Sequence, residues 1–196
     1  MYIKTKKISK LGYRGLETVE MSYVDHRVPD TNVLGGEEGL GNGRKYALSA
    51  LELGRINVAS RAVGVAQAAF DAAMAYAQER ETFGQPIFKH QAIQFKLAEM
   101  ATKLQAARLM TYDAAARADA GERVDMEAGM AKLFASEAAY EIATDALRIH
   151  GGNGYTTEYP VERYFRDTPL MIIGEGTSEI QKMVIARKLL DRYSVE

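Results

Sequence analysis

Cysteine is absent from the 196-residue chain. That excludes disulfides, thiolate nucleophiles and cysteine metal sites, and it fits a reducing compartment. No apolar run approaches the roughly 20 residues of a membrane span. The start, Met1-Tyr-Ile-Lys-Thr-Lys-Lys, lacks the apolar core of a secretory signal, so none is expected. Charge of one sign is also missing: 25 Lys and Arg stand against 26 Asp and Glu, a net charge of −1. A broad electrostatic footprint for nucleic acid is therefore not expected. None of His26, His90 or His150 has a Glu three residues before it, the spacing a di-iron helical bundle needs, so no metal is expected. There is no Gly-x-Ser-x-Gly elbow, which removes the usual signature of serine nucleophilic catalysis. What is present, 47% hydrophobic and 26% charged residues, is ordinary for a soluble globular chain holding one large domain or one and a part.

Residues 1–36 differ from the rest. Thr18 to Val24 mixes β-branched, aromatic and polar residues, a strand signal, and Ile3 to Ile8 predicts another. Two short strands do not make a stable sheet alone. They lean on the helices or end a sheet whose other strands lie elsewhere. From about Leu40 the pattern is helical. The first helix is expected to reach about Arg80, with Leu48, Leu51, Arg55, Val58, Ala62, Val65, Ala69, Ala73 and Ala77 in helical period. Gly54 and Gly64 inside it each cost about 1 kcal/mol relative to Ala, which suggests close approach by a ligand or another backbone. Thr82-Phe-Gly-Gln-Pro86 breaks the helix. A second helix is predicted over about 89–120 and a third over about 126–149, with Met130, Leu133, Phe134, Ala138, Ile142, Ala146 and Ile149 inward. The third ends at Gly151-Gly-Asn-Gly154. A short helix follows Pro160, and the last runs from about Ser178 to Tyr193. Long helices on short loops predict a mainly α fold, an antiparallel four-helix bundle preceded by a short β segment.

Four stretches carry candidate chemistry. In Pro169-Leu-Met-Ile-Ile-Gly-Glu-Gly-Thr-Ser-Glu-Ile-Gln181 an apolar run leads to one carboxylate, Glu175, between two glycines. A helix follows, with Ser178 and Gln181 spaced as a capping box and Ile180, Met183, Val184 and Leu190 as its apolar face. This presents an acid at a tight turn beside a helix N-terminus, a design for a general base or an anion-facing loop. The same residues also read as a loop glutamate favoured by the helix dipole. Arg80-Glu-Thr-Phe-Gly-Gln85 with His90-Gln91 gathers an Arg fork, a hydroxyl, a ring and amide donors around one turn. It equally reads as a helix-joining loop. Arg148-Ile-His-Gly-Gly152 allows close backbone approach to a flat ligand, or is a plain glycine cap. Arg55, in Glu52-Leu-Gly-Arg55, lies on an otherwise apolar face; buried, it needs an anionic partner, and at the rim only its stem is covered.

Taken together and in this order, the motifs resemble the acyl-CoA dehydrogenases, flavoenzymes that introduce an α,β double bond into acyl-CoA thioesters. Arg-x-x-Phe-Gly, the His-Gln pair, Ile-x-Gly-Gly-Asn-Gly-Tyr, Thr-Glu-Tyr-Pro-Val-Glu, Arg-Asp and Glu-Gly-Thr-Ser-Glu-Ile-Gln carry the likeness, which spans essentially the whole chain. It implies that residues 1–36 are the last strands of the family's middle β-domain and residues 37–196 its C-terminal helical-bundle domain. The N-terminal helical domain and the start of the β-domain would be missing, as in a fragment or one half of a split enzyme.

The resemblance implies roles residue by residue. Glu175 matches the catalytic base, taking the α-proton while hydride leaves the β-carbon for flavin N5. One subset of the family keeps its base just before Arg55; that residue here is Gly54, so Glu175 is the candidate. Arg55, Glu52 and Gly176 match substrate contacts. Arg80, Thr82, Phe83, His90 and Gln91 match residues holding the FAD of a neighbouring subunit, and Arg148, Ile149, His150, Gly151 and Gly152 a further strip on it. Thr177, Ser178 and Glu179 match contacts to FAD in the same subunit's site. Implied partners are an acyl-CoA substrate, further copies of the chain in a dimer or dimer of dimers, and an electron-transfer flavoprotein. The implied location is the cytoplasm, or the mitochondrial matrix after removal of a transit peptide.

Two positions depart from the family pattern. Gly174 stands where straight-chain members often have Tyr, which implies a pocket roomy enough for branched, cyclic or bulky acyl groups. Arg148 stands where Gln is common. Alone, the chain is expected to bind FAD poorly and turn over little. The competing readings are an acyl-CoA oxidase of the same fold and a non-catalytic helical oligomerisation module.

Overall fold

The computed structural model describes residues 2–194. The chain divides into two compact units, Met1–Leu51 and Glu52–Glu196.

In the first unit, β1 (Tyr2–Lys7) pairs antiparallel with β2 (Val19–Val24), with Thr5 opposite Met21 and Lys7 opposite Val19. All six residues of β2 are exposed. Two short 3-10 turns, Asp30–Asn32 and Gly36–Gly39, precede α1 (Gly43–Glu79), and the division between the units falls within that helix. Leu48 is exposed, so the inward stripe starts later than the sequence period suggests.

The second unit is the helical bundle. After α1 come a two-residue hairpin, β3 (Glu81–Thr82) with β4 (Gln85–Pro86), then α2 (Gln91–Asp119) and α3 (Asp125–His150). The short helices α4 (Val161–Asp167) and α5 (Pro169–Ile173) lead to α6 (Ser178–Arg192). Side-chain pairs set the directions. Lys96 and Lys103 of α2 meet Asp145 and Glu141 of α3, so these helices run antiparallel. Glu127 and Glu137 of α3 meet Arg192 and Ser178 of α6, again antiparallel. Tyr76 of α1 stacks on His150 at the far end of α3, while Glu52 bonds near its start, so α1 and α3 run parallel.

The core is made chiefly of small residues. Ala59, Ala62, Ala66, Ala69, Ala73 and Ala77 form one buried stripe along α1, and α3 buries fourteen residues, several of them alanine. Alanine has no side-chain entropy to lose and lets backbones approach closely. The outer apolar positions differ from the sequence expectation. Ile180, Met183 and Leu190 of α6 are 44%, 68% and 74% exposed. The residues α6 buries are Ser178 and Gln181; docking through those two polar side chains turns the apolar stripe outward. Phe134 is likewise exposed, bordering a groove of about 500 Å³ with Met110, Met130, Leu133 and Ile185.

Candidate active site

α5 is a single turn that ends at Gly174, whose N–H donates to the carbonyl of Leu170 at 2.7 Å. Glu175 and Gly176 then both take positive φ, 55° and 96°. A left-handed backbone is uncommon for a non-glycine residue and is strained by about 1–3 kcal/mol. The bend is tied down from inside. Lys132 Nζ donates to the carbonyls of Ile172 and Gly176, both at 2.8 Å. Gln181 Nε2 donates to the carbonyls of Glu175 and Gly176, both at 3.0 Å. Lys132 and Gln181 are fully buried.

The helix start differs from the capping box expected at Ser178 and Gln181. Thr177 is the N-cap, its Oγ1 accepting the Ile180 N–H. Ser178 points inward and its hydroxyl donates to Glu137 at 2.6 Å, while Gln181 reaches back to the loop. The apolar run before the turn is only partly enclosed. Met171 is buried, but Leu170 and Ile173 are exposed, because a one-turn helix has one inward side.

Across from the loop lies α1. A β-carbon built on Gly54 would stand 2.8 Å from Glu175 Oε2. Arg55 is buried, and its Nε finds no hydrogen-bond partner among the described residues. Glu52 Oε1 accepts the Val124 N–H at 2.6 Å, satisfying a donor at the entry to α3. Burial pushes the Lys132 ammonium below the ordinary lysine value; Glu137 pulls it back up, Arg55 lowers it further, and Glu179 and Glu175 favour the charge. Glu179 is held below the usual carboxylate range by its own backbone N–H and then by the Thr177 hydroxyl. The arrangement offers one carboxylate able to take a proton and, beside it, a buried cationic donor with capacity left for an acceptor.

A second group of predicted residues meets at the other end of α1. Phe83 and Gly84 have φ of 51° and 78°, the pattern of a two-residue hairpin turn. Thr82 Oγ1 and Gln85 Nε2 contact the two ring nitrogens of His90 at 3.0 and 3.3 Å. With Gln85 donating to Nδ1, the Nε2–H donates to Thr82. Facing the hairpin is the end of α3. His150 is buried, donates Nδ1–H to the Ala146 carbonyl at 2.8 Å and stacks on Tyr76 with centroids 4.2 Å apart. Tyr159 stands edge-on to both rings, and Asn153 donates to the Tyr76 hydroxyl at 3.0 Å. Burial holds His150 below the ordinary histidine value, against the pull of the Ala146 carbonyl.

Arg80, Thr82, Ile149, His150, Gly151 and Gly152 line one cleft of about 360 Å³, with Tyr76 beneath. Apart from the adjoining residues, no atom lies within 4 Å of a β-carbon built on Gly151 or Gly152, so a flat group can reach their backbone. Phe83 projects from the hairpin tip, 96% exposed; Gln91 is exposed at the start of α2; Arg148 is exposed and pairs with Asp145 at 3.6 Å. These three, and His90 behind Thr82, lie outside the cleft lining. The sequence patterns single out neither Lys132 nor Tyr76, and they take in Asn153 only as part of the glycine-rich stretch after α3. A signal existed for Lys132: it falls in helical period with Ala128, Ala135 and Ala139, all buried.

The chain matches the C-terminal domain of the acyl-CoA dehydrogenases over residues 41–190. It is 53% identical over 186 residues to a probable acyl-CoA dehydrogenase, YngJ, of Bacillus subtilis, covering 95% of this chain and 48% of that protein. It is 50% identical over 188 residues to the human mitochondrial short-chain specific acyl-CoA dehydrogenase, covering 96% and 45%. The butyryl-CoA dehydrogenase structure from Megasphaera elsdenii superposes with a TM-score of 0.91 at 42% identity, over 96% of this chain and 49% of that one. The chain thus spans about half the length of the curated relatives it matches.

Proposed function

The chain belongs to the acyl-CoA dehydrogenase family, and from that premise we propose that it contributes the catalytic base and a cofactor-holding surface to the FAD-dependent α,β-dehydrogenation of an acyl-CoA thioester. The observation that carries the reading is the Glu175 carboxylate, held at a strained turn against Gly54 and next to the buried, incompletely bonded Arg55. In domain terms, residues 1–36 correspond to the last strands of a middle β-domain and residues 37–196 to the C-terminal helical domain.

The cleft fits a dinucleotide cofactor. It combines an Arg fork at Arg80, a hydroxyl at Thr82 and open glycine backbone at Gly151 and Gly152, which suit a pyrophosphate and a flat group. The family pattern assigns this surface, with Phe83, His90, Gln91 and Arg148, to the FAD of a neighbouring subunit, so the working form is a homo-oligomer. Thr177, Ser178 and Glu179 would meet the chain's own FAD; since the Ser178 hydroxyl is engaged by Glu137, its share would come from the backbone. FAD, when bound, supplies the acceptor for the hydride that leaves the β-carbon.

The rest is the work of this chain's residues. Glu175 takes the α-proton, and its turn limits the directions in which the carboxylate can point. Arg55 offers a donor to a polar atom of the bound thioester. Gly176 presents backbone that an added side chain would obstruct: its β-carbon would lie 2.8 Å from Gln181 Nε2. Gly174 leaves room beside the base, which favours branched, cyclic or bulky acyl groups. Electrons then pass to an electron-transfer flavoprotein.

The test places residues 1–196, as wild type and as Glu175→Gln, in the C-terminal half of the Bacillus subtilis relative. The wild-type chimera is expected to bleach its flavin on adding acyl-CoA, and Glu175→Gln to slow this by about 10²–10⁴-fold, the contribution of a positioned general base. Equal bleaching by both would remove Glu175 from the chemistry. Gly174→Tyr in the same chimera is expected to shift preference towards straight chains; an unchanged preference would refute the roomy pocket.

A further inference from the structure

Two consecutive residues at positive φ make the Glu175 turn a conformation that must be maintained from outside. The carbonyls of Ile172, Glu175 and Gly176 accept hydrogen bonds from two buried side chains, Lys132 and Gln181. Of these, Gln181 belongs to the helix that follows the turn. Lys132 comes from α3, the helix most enclosed by the bundle. Its ammonium reaches the turn on both sides of Glu175, at Ile172 before it and at Gly176 after it.

We infer that Lys132 is a positioning residue: its ammonium clamps the Ile172 and Gly176 carbonyls to α3 and so sets where Glu175 aims its carboxylate. This deepens the proposed reaction at the same site, although the clamp itself needs no substrate. A buried cation is retained only where its hydrogens are used and counter-charge is near. Here two hydrogens go to carbonyls, and Glu137, Glu179 and Glu175 lie close enough to favour the charge. An apolar residue of the same length would fill the space, take this donor from the Ile172 carbonyl and leave the Gly176 carbonyl to Gln181. The Gly176 carbonyl is shared with Gln181, so loosening one donor burdens the other.

Lys132→Met in the 196-residue chain keeps the stem and removes the donors. Amide hydrogen exchange over residues 174–177 is expected to rise about tenfold or more while the buried amides of α3 stay within about twofold of wild type. The Cα and Cβ resonances of Glu175, which report its left-handed backbone, are expected to move towards coil values. Lys132→Arg, which restores donors, is expected to recover at least part of both changes; a residue that merely filled space would be better replaced by Met than by Arg. Unchanged loop exchange and Glu175 resonances in a folded Lys132→Met chain would overturn the assignment. If that variant does not fold, the wild-type chain decides. Slowly exchanging Lys132 ammonium protons, with a correlation from Nζ to the Ile172 and Gly176 carbonyl carbons, are expected. An ammonium averaging with water as surface lysines do would overturn the clamp. Because none of these readouts involves acyl-CoA, the clamp and the proposed reaction can fail separately.

Discussion

The carboxylate of Glu175 rests against the backbone of Gly54, where an added β-carbon would stand 2.8 Å from Oε2 and 2.9 Å from Cδ. The proposed base and the helix position that the resemblance offers as its alternative therefore share one volume. A side chain at either leaves little room for a side chain at the other, and two carboxylates there would also repel. A glycine in mid-helix, costly by propensity alone, makes sense as the space the carboxylate occupies.

Gly54→Ala sets these effects against each other. Helix propensity favours the alanine by about 1 kcal/mol. The atoms it meets are the end of a flexible side chain, so the fold can accommodate it by moving the carboxylate. Thermal unfolding is expected to hold or rise, while turnover in the flavin-loaded chimera falls by about 10- to 100-fold, the cost of a base displaced by a fraction of an ångström to an ångström. Full activity in a folded Gly54→Ala protein would mean that the observed carboxylate position is not the productive one.

Glu52 separates a structural role from a ligand-facing one. Its Oε1 accepts the Val124 N–H at 2.6 Å. Glu52→Gln keeps an acceptor there and is expected to unfold close to wild type. Glu52→Ala loses it and is expected to cost about 1 kcal/mol, the usual value of a helix-entry acceptor. Denaturant midpoints of the two variants check this, and equal midpoints would show that the Val124 bond contributes little.

How much of this was legible in the sequence depends on which distances were involved. The helices were readable because their cores are alanines repeating in helical period, and the Phe83-Gly84 and Glu175-Gly176 turns because glycine marks them. The cap of α6 was not, because Thr177 and Ser178 are both good N-caps and only packing decides which hydroxyl turns inward to Glu137. The face of α6 was misread for a related reason: its buried contacts are made by Ser178 and Gln181, polar residues that an apolar pattern ignores. Lys132 shares the buried period of α3, but the carbonyls it serves come from a loop some forty residues later, which no local pattern places over it. The Tyr76–His150 stack joins residues too distant in sequence for any local pattern to connect.

His150 makes stability depend on pH near neutrality. Burial lowers its folded value, and the ring faces Tyr76, Tyr159 and the Ala146 carbonyl. The unfolded chain then binds this proton more readily than the folded one. Stability contributed by neutral His150 is present above the ordinary histidine value of about 6.5, falls as pH drops through it, and stops falling below the folded value. Urea midpoints are expected to drop between about pH 7.5 and 5.5. His150→Phe, which keeps a ring on Tyr76, is expected to flatten that interval, and an unchanged slope would assign the effect to another group.

Arg55 is a second residue for which stability and function should part. Its charge is carried into the bundle, yet Nε remains without a partner among the described residues. A buried donor left unused costs about 1–3 kcal/mol. Replacing such a cation by an apolar chain of similar length is often neutral or stabilising. Arg55→Met is thus expected to unfold at the same or a higher denaturant concentration than wild type. In the flavin-loaded chimera it is expected to weaken acyl-CoA binding or turnover by about tenfold or more, since a charge-assisted hydrogen bond contributes about 1.5–3 kcal/mol. Arg55→Lys keeps the charge but loses the fork, so it is expected to be no more stable than wild type and to restore function only in part. A destabilised Arg55→Met with normal acyl-CoA turnover would make Arg55 a packing residue whose Nε is idle in the working enzyme as well.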